Sequence, residues 1–214
     1  MSGITKTRPY DSKEYWEERF HKEDHYDWLF SWNSIKDYLL PYISIGGDHN
    51  SNPILHLGCG NSLLAFDMAD SGYQHIVNID YAEGVINKME TLTNEKKSPQ
   101  YQQLKWIAAD CLNDLESLPK IYPIEKYNIA IEKSLLDTIA TGDDSCYSKQ
   151  RQLAKQIGSV INSSGYWCSI SFSDHRQAFD SWCLEKKIPL LVPQPNDKPN
   201  APDIYYYLYI FKKL

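Results

Sequence analysis

Short apolar runs alternate along this chain with stretches whose apolar residues recur at helical spacing. Val85, Ile86 and Met89, for example, fall on one side of a helix. The pattern predicts helices over residues 12–21, 32–42, 62–71, 83–93, 148–161 and 177–187. It predicts strands over residues 54–57, 75–79, 103–108, 127–131, 166–172, 190–192 and 204–212.

The order of these elements predicts an α/β fold. Strands that alternate with helices form βαβ units, and strands that are apolar throughout are covered on both faces. The last two strands have no helix between them, and a segment containing Pro193, Pro195, Pro199 and Pro202 joins them as a hairpin. We therefore expect a Rossmann-like, seven-stranded, mostly parallel sheet with a C-terminal antiparallel hairpin and helices on both faces.

The length of 214 residues favours one domain. Within this domain, 1–214, a helical segment over residues 1–52 is expected to precede the Rossmann-like core over residues 53–214. The loop 46–53 is expected to lead the chain into the first strand of the core.

Charge and cysteine content narrow the class of protein. The formal net charge is −6, whereas a general nucleic-acid-binding protein is basic. The five cysteines form no CxxC pair, and no apolar run reaches the roughly 20 residues that a membrane span needs. His21 and His25 stand one helical turn apart without a third ligand, so we expect no metal site. We expect a monomeric, cytoplasmic protein without nucleic-acid or membrane partners, and a nuclear location stays open.

The segment 54–62, ILHLGCGNS, carries the most specific signal in the chain. A predicted strand enters the turn Gly58-Cys59-Gly60 and a predicted helix leaves it. Glycines in such a turn let the backbone bend sharply and let a ligand approach it closely. A dinucleotide fingerprint would have a third glycine where this chain has Leu63. Because S-adenosylmethionine (SAM) has no pyrophosphate, the pattern favours SAM over NAD.

Two acidic residues end the next two predicted strands. Asp80 stands where a carboxylate can accept hydrogen bonds from both ribose hydroxyls of an adenosine cofactor. Asp110 stands where a carboxylate, beside the backbone of Cys111, can meet the adenine amino group. Since open parallel sheets bind ligands at this edge, the two aspartates support a SAM site. The alternative is that they only cap their strands.

Three sequence blocks extend this motif. They are EYWEERF with YDW in residues 14–28, LGCGNS with VNIDY in residues 57–81, and EKSLLD in residues 132–137. These blocks resemble the eukaryotic methyltransferase-like group that contains elongation factor 1A lysine methyltransferases and the mitochondrial citrate synthase lysine methyltransferase. The resemblance implies a class I, SAM-dependent protein-lysine N-methyltransferase that acts on a cytosolic protein such as a translation elongation factor. S-adenosyl-L-homocysteine would be the second product.

The resemblance and the strand-end argument together predict the site. The expected cofactor contacts are Trp16, Phe20, Tyr26, Gly58, Gly60, Asn61, Asp80, Tyr81, Asp110, Cys111 and Lys133. The expected catalytic residues are Glu132, which the resemblance places facing the reaction, and Asp137. Alternatively, Glu132 caps a helix or pairs with Lys133, and Asp137 is a solvated or capping acid.

A lysine acceptor adds a requirement, because its free pKa near 10.4 lies about 3 pH units, or roughly 4 kcal/mol, above neutrality. An aromatic pocket that removes water from the ammonium helps expel the proton. Glu132 or Asp137 is expected to orient the amine or accept its proton.

The third block departs from the family pattern. Ser134-Leu135 replaces Gly-Thr, and Thr138 replaces Ala. The substrate therefore stays open, and a small-molecule or other-residue methyltransferase is the alternative enzyme. An alternative of another class is a catalytically weak, SAM-binding regulatory subunit.

Overall fold

The computed structural model describes residues 9–43, 53–124, 126–142, 144–177, 179–193 and 202–214. The strands in this part of the chain are β1 (Ile54–Leu57), β2 (Ile76–Asp80), β3 (Lys105–Ala108), β4 (Tyr127–Lys133), β5 (Ile161–Ser171), β6 (Trp182–Leu191) and β7 (Tyr205–Lys213). The α-helices are α1 (Lys13–Lys22), α2 (Trp32–Ile43), α3 (Leu64–Asp70), α4 (Glu83–Lys96), α5 (Leu118–Ile121), α6 (Leu135–Ala140) and α7 (Cys146–Val160). Two 3-10 helices cover Pro99–Gln103 and Leu115–Ser117.

The strands form one sheet in the order β3-β2-β1-β4-β5-β7-β6. β1 to β5 pair in parallel, and β7 runs antiparallel to both β5 and β6. Leu57 pairs with Ile79 on one side and with Glu132 on the other, so β1, β2 and β4 end at one edge of the sheet. The predicted fold class is confirmed: a seven-stranded, mostly parallel sheet with a C-terminal antiparallel hairpin.

Helices cover both faces of the sheet because its central strands are apolar on both. Apolar residues of α1 to α4 pack against Ile54, Ile129 and their neighbours on one face. Residues of α5 to α7 pack against Leu55, Ala130 and their neighbours on the other. β7 lies inside the sheet, as its long β-type run predicts, and Leu208 to Phe211 are almost fully buried.

The helix predicted over residues 177–187 is wrong, since β6 begins at Trp182. Nine of the ten residues of β6 have a partner on β7, and the Trp182 indole donates a hydrogen bond to the Ala154 carbonyl at 3.0 Å. Pairing with a neighbouring strand and burial of Trp182 against α7 outweigh the local helical pattern. The sequence pattern also missed α6, which has only six residues.

The sequence predicts neither a membrane span nor a metal site, and both expectations bear on the described part of the chain. No helix there has both the length and the hydropathy to cross a membrane. No group of three histidine, cysteine, aspartate or glutamate residues is placed there to hold a metal ion. The expected loop 46–53 lies outside the described residues except for Pro53, and so do Pro195 and Pro199.

Candidate active site

A cavity of about 310 Å³ opens at the carboxyl edge of the sheet. This volume is in the range of small-molecule and cofactor sites. Its walls come from the turn after β1, the ends of β2, β3 and β4, helix α6, and the segment 10–28 that contains α1. All eleven predicted cofactor contacts line it: Trp16, Phe20, Tyr26, Gly58, Gly60, Asn61, Asp80, Tyr81, Asp110, Cys111 and Lys133.

The turn after β1 requires its two glycines. Gly58 and Gly60 have φ angles of +58° and +50°, in the left-handed region that favours glycine. A Cβ atom on Gly60 would lie 3.1 Å from the Phe20 ring, and one on Gly58 would lie 3.2 Å from Leu135. The turn therefore passes directly beneath α1 and beside α6, where a side chain at either position would be crowded.

Asp80 at the end of β2 is buried and held by backbone groups. Its Oδ2 accepts a hydrogen bond from the Gly60 N–H at 2.9 Å, and its Oδ1 accepts one from the Ala82 N–H at 3.0 Å. Burial raises its pKa to about 6, against the hydrogen bonds that lower it. Each oxygen retains a lone pair for a further donor, which fits a carboxylate that binds ribose hydroxyls.

Asp110 lies half-buried after β3 and caps the turn that follows. Its Oδ1 accepts from the Leu112 N–H at 2.8 Å, and its Oδ2 accepts from the Asn113 amide at 2.6 Å. Burial raises the thiol pKa of Cys59 and of Cys111, so neither is a ready nucleophile. Both fit the role of small side chains beside a ligand.

Segment 10–28 supplies the aromatic wall of the cavity. Trp16 and Phe20 are buried there and stack with ring centroids 5.4 Å apart. The Arg19 guanidinium lies over the rings of Trp28 and Tyr26, 4.8 and 5.3 Å from their centroids, and binds Glu23 through its Nε. Such cation–π contacts stiffen the segment and hold its rings over the glycine turn.

Lys133 at the end of β4 binds this segment as well as lining the cavity. Its Nζ lies 2.9 Å from Asp27 Oδ1 and donates to the Phe30 carbonyl at 2.9 Å. Burial lowers the pKa of Lys133. Burial alone would raise the pKa of Asp27, but the Lys133 charge and a hydrogen bond from Ser62 outweigh it and lower that pKa. The charged end of Lys133 therefore holds the segment that covers the site.

Glu132 lies outside the cavity wall. Its Oε2 accepts from the Leu135 N–H at 2.7 Å and from the Leu136 N–H at 3.4 Å, and burial raises its pKa. These contacts match the alternative in which Glu132 caps a helix, here α6. Ser134 lies between Glu132 and Leu135 and has a φ of +66°. Glycine, which the family pattern has at this position, adopts this conformation readily.

Asp137 on α6 does line the cavity, but its carboxylate is engaged. It forms an ion pair with Arg176 and accepts hydrogen bonds from the Ser171 hydroxyl at 2.6 Å and from the Phe172 N–H at 3.2 Å. The two charged side chains are 2% and 4% exposed. Asp137 is therefore a buried, paired acid rather than a solvated one.

These groups fit SAM: a strand-end carboxylate, a left-handed glycine turn and a wall of rings. Residues 48–210 match the family described as "Methyltransferase domain". The chain belongs to this family and is a SAM-dependent methyltransferase. It is 31% identical over 219 residues to Methyltransferase srdJ of Neurospora crassa, covering 99% of this chain and 88% of that protein.

A second relative is the eEF1A lysine and N-terminal methyltransferase homolog of Drosophila melanogaster, 28% identical over 215 residues. That match covers 95% of this methyltransferase but only 30% of the fly protein. Among solved structures, the N-methyltransferase NodS of Bradyrhizobium japonicum, in complex with S-adenosyl-L-homocysteine, aligns with a TM-score of 0.62 at 14% identity over 96% of this chain and 98% of that one. At this identity the likeness shows the fold.

Sequence reasoning missed His56 and Phe172, which line the cavity, and Asp27 and Arg176, which bind residues that line it. His56 is buried, its Nδ1 lies 2.9 Å from Asn78 Oδ1, and burial lowers its pKa to about 4, so it is neutral at neutral pH. Its position within the apolar run ILHL was a signal that a polar side chain is buried there. Phe172 was predicted to end the fifth strand, but β5 ends at Ser171, and Arg176 lies in the connection that follows. Their place at the site follows only from tertiary contacts.

Proposed function

We propose that this methyltransferase transfers the methyl group of SAM to the ε-amino group of a lysine in a protein. The aromatic lining of the cavity carries the proposal. The rings of Trp16, Phe20, Tyr26, Trp28 and Phe172 all line it. Such rings remove water from a lysine ammonium and so favour the neutral amine that can attack a methyl group.

The reaction that we propose needs little covalent chemistry from the protein. SAM supplies a methyl group on a sulfonium. The neutral lysine amine attacks the methyl carbon, and the carbon–sulfur bond breaks as the nitrogen–carbon bond forms. The products are methyl-lysine, S-adenosyl-L-homocysteine and a proton from the lysine nitrogen. The protein orients the reacting groups and removes water from the ammonium, which favours the neutral amine. Glu132 and Asp137 would then contribute indirectly: Glu132 by capping the start of α6, and Asp137 by holding the loop after β5.

The named relatives support a protein acceptor. The mouse and human proteins called eEF1A lysine and N-terminal methyltransferase are 29% and 28% identical to this chain over 171 residues. Because each match covers only 22% of the relative, the names of these relatives support a lysine acceptor for this chain but do not establish it. We propose a cytosolic protein such as elongation factor 1A as the substrate of a monomeric enzyme that needs no metal or nucleic acid.

A small-molecule acceptor is the second candidate. The match to srdJ keeps it open, because that match extends over 88% of srdJ, whereas the fly eEF1A lysine relative is covered to 30%. The name of srdJ specifies a methyltransferase without a substrate.

The test is transfer of tritiated methyl from SAM, with purified elongation factor 1A and a cell lysate as acceptors. We expect label on lysine of one protein, located by mass spectrometry, and its loss in Asp80→Asn. Asp37→Asn, which changes an exposed carboxylate on α2, should retain full transfer. Label only in small molecules would favour the second candidate. SAM binding without any transfer would favour the regulatory subunit.

A further inference from the structure

Phe172 lies at the end of the cavity that is farthest from the expected adenine contacts. Asp110 follows β3 and Phe172 follows β5, and the sheet order puts four strand spacings between these strands. At about 4.8 Å per spacing this is about 19 Å. Apart from Lys133, whose charged end turns to Asp27, the predicted cofactor contacts at the strand ends follow β1, β2 and β3. The cavity wall at Phe172 therefore belongs to the acceptor side. The ring lines the cavity and is 54% exposed.

The loop that carries Phe172 is fixed by a buried ion pair. Within its described residues, 172–177 and 179–181, no helix connects β5 to β6. Asp137 accepts from the Phe172 N–H, and the Arg176 guanidinium binds Asp137 and donates to the Ser171 hydroxyl at 2.5 Å. The loop backbone is therefore tied to α6 on both sides of the Phe172 ring.

A second anchor holds the same loop from the sheet. The Tyr209 hydroxyl donates to the Ser173 carbonyl at 2.8 Å, and the Ser173 N–H donates to the Ser171 hydroxyl at 2.9 Å. A buried ion pair contributes little more to stability than well-packed apolar residues of the same size would. Orienting the loop therefore explains the Asp137–Arg176 pair better than stabilising the fold does. The exposed group that these contacts orient is Phe172.

We propose that Phe172 contacts the methyl acceptor and determines which acceptor is used, and that Asp137 and Arg176 are positioning residues that act through it. The inference rests on the proposed function in one respect: the ring packs on the methylene stem of a lysine and excludes water from its ammonium group. For a small-molecule acceptor the same ring would contact an apolar part of the molecule.

The first test compares Phe172→Ala and Phe172→Trp, with elongation factor 1A and the lysate as acceptors. Phe172→Ala should raise the KM for the acceptor at least tenfold and leave the Kd for S-adenosyl-L-homocysteine within twofold in calorimetry. Phe172→Trp should restore most of the loss. Tyr38→Ala, which removes an exposed ring on α2 outside the cavity wall, should change neither quantity.

The second test asks whether Asp137 acts through Phe172. Asp137→Asn alone should raise the acceptor KM, but in the Phe172→Ala background it should add less than twofold, because the group that it positions is gone. Fully additive effects on KM would overturn the positioning role. Should Asp137→Asn fail to fold in thermal denaturation, Arg176→Lys takes its place in the cycle, since it keeps the charge and loses the planar fork.

The outcomes separate this inference from the proposed function. If the wild-type enzyme labels only small molecules and Phe172→Ala still raises the acceptor KM, the lysine acceptor is rejected and the role of Phe172 is kept. Label on protein lysine with an unchanged KM in Phe172→Ala rejects the role of Phe172 alone. No transfer to any acceptor rejects both.

Discussion

Lys133 and Asp27 are 106 residues apart in sequence and form an ion pair, with 2.9 Å between Nζ and Oδ1. The pair joins the end of β4 to the segment that brings Trp16 and Phe20 over the glycine turn. The Lys133 side chain is 4% exposed and that of Asp27 is 27% exposed, so the contact is shielded from solvent. The family resemblance assigns Lys133 to the cofactor, and the structure adds that its charged end holds the cover of the cofactor site.

Removing this pair should loosen the cover. In Lys133→Met we expect the affinity for S-adenosyl-L-homocysteine to fall at least about tenfold, or ~1.4 kcal/mol, because Trp16 and Phe20 are no longer held in place. The free energy of unfolding should fall by about 3 kcal/mol, as when one partner of a buried pair is removed. Calorimetry and urea denaturation measure the two effects.

The control breaks an exposed pair in the same segment. Lys22 and Glu18 are 66% and 71% exposed, so Lys22→Met should leave both quantities unchanged within error. Wild-type affinity in Lys133→Met would contradict the role of the pair in holding the cover.

Cofactor binding should depend on pH through Asp80, whose pKa is raised to about 6 by burial. Below pH 6 the carboxyl gains a proton and loses acceptor capacity, so the affinity for S-adenosyl-L-homocysteine should fall as pH drops from 7 to 5. Asp80→Asn should bind weakly at every pH, without this dependence. Calorimetry across that range, with Asp37→Asn retaining the wild-type profile, tests the assignment.

The same group affects stability in the opposite direction. Its pKa is higher in the folded protein than the ordinary 3.8, so its contribution to stability is full below pH 4 and is lost as pH rises through 6. The loss attributable to Asp80 is about 3 kcal/mol. Comparing the pH dependence of unfolding in wild type and Asp80→Asn isolates it, and identical profiles would contradict the raised pKa.

Ser134→Gly should stabilise the protein. Ser134 has a left-handed φ of +66°, and its buried hydroxyl has no hydrogen-bond partner among the described residues. Glycine removes both costs, each about 1 kcal/mol, and the entropy of the unfolded glycine chain offsets part of the gain. We expect a net gain of about 1 kcal/mol and a rise in Tm of about 2–4 °C. Ser134→Ala retains the backbone strain, so a gain equal to that of glycine would contradict this explanation.

Gly60→Ala and Gly72→Ala form a matched pair. Both glycines have positive φ angles, +50° and +97°, but a Cβ on Gly72 meets nothing within 4 Å, whereas one on Gly60 meets Phe20. Both variants should lose about 1 kcal/mol of stability. Only Gly60→Ala should also bind S-adenosyl-L-homocysteine at least tenfold more weakly in calorimetry. Equal affinities in the two variants would show that crowding between residue 60 and Phe20 does not affect cofactor binding.

The elements that were predicted correctly are those with a local signal. β1, β2 and β4 are largely apolar runs that are buried in the structure, and Ser12 caps α1 by accepting the Tyr15 N–H at 3.3 Å, so sequence pattern and structure agree there. β6 was misread because its pattern allows a helix and only pairing with β7 specifies a strand. That pairing depends on residues distant in the sequence, so a local pattern does not predict it.

The candidate site divides in the same way. Glycine turns and acids at strand ends depend on the residues next to them, so Gly58, Gly60, Asp80 and Asp110 were found from the sequence, and all four line one cavity. Glu132 was expected to face the reaction, yet its carboxylate turns to the start of α6. Which way a buried acid points depends on the donors that are near it, and these are decided by packing.

The sequence by itself determined the class of fold and the edge of the sheet at which SAM is expected, because periodicity, glycine positions and strand ends are properties of neighbouring residues. The tertiary structure alone decided which charges meet. Lys133 finds Asp27 across 106 positions and Arg176 finds Asp137 across 39. Such pairs form only where folding removes water from both partners and brings them within hydrogen-bonding distance, and no spacing along the chain encodes that distance.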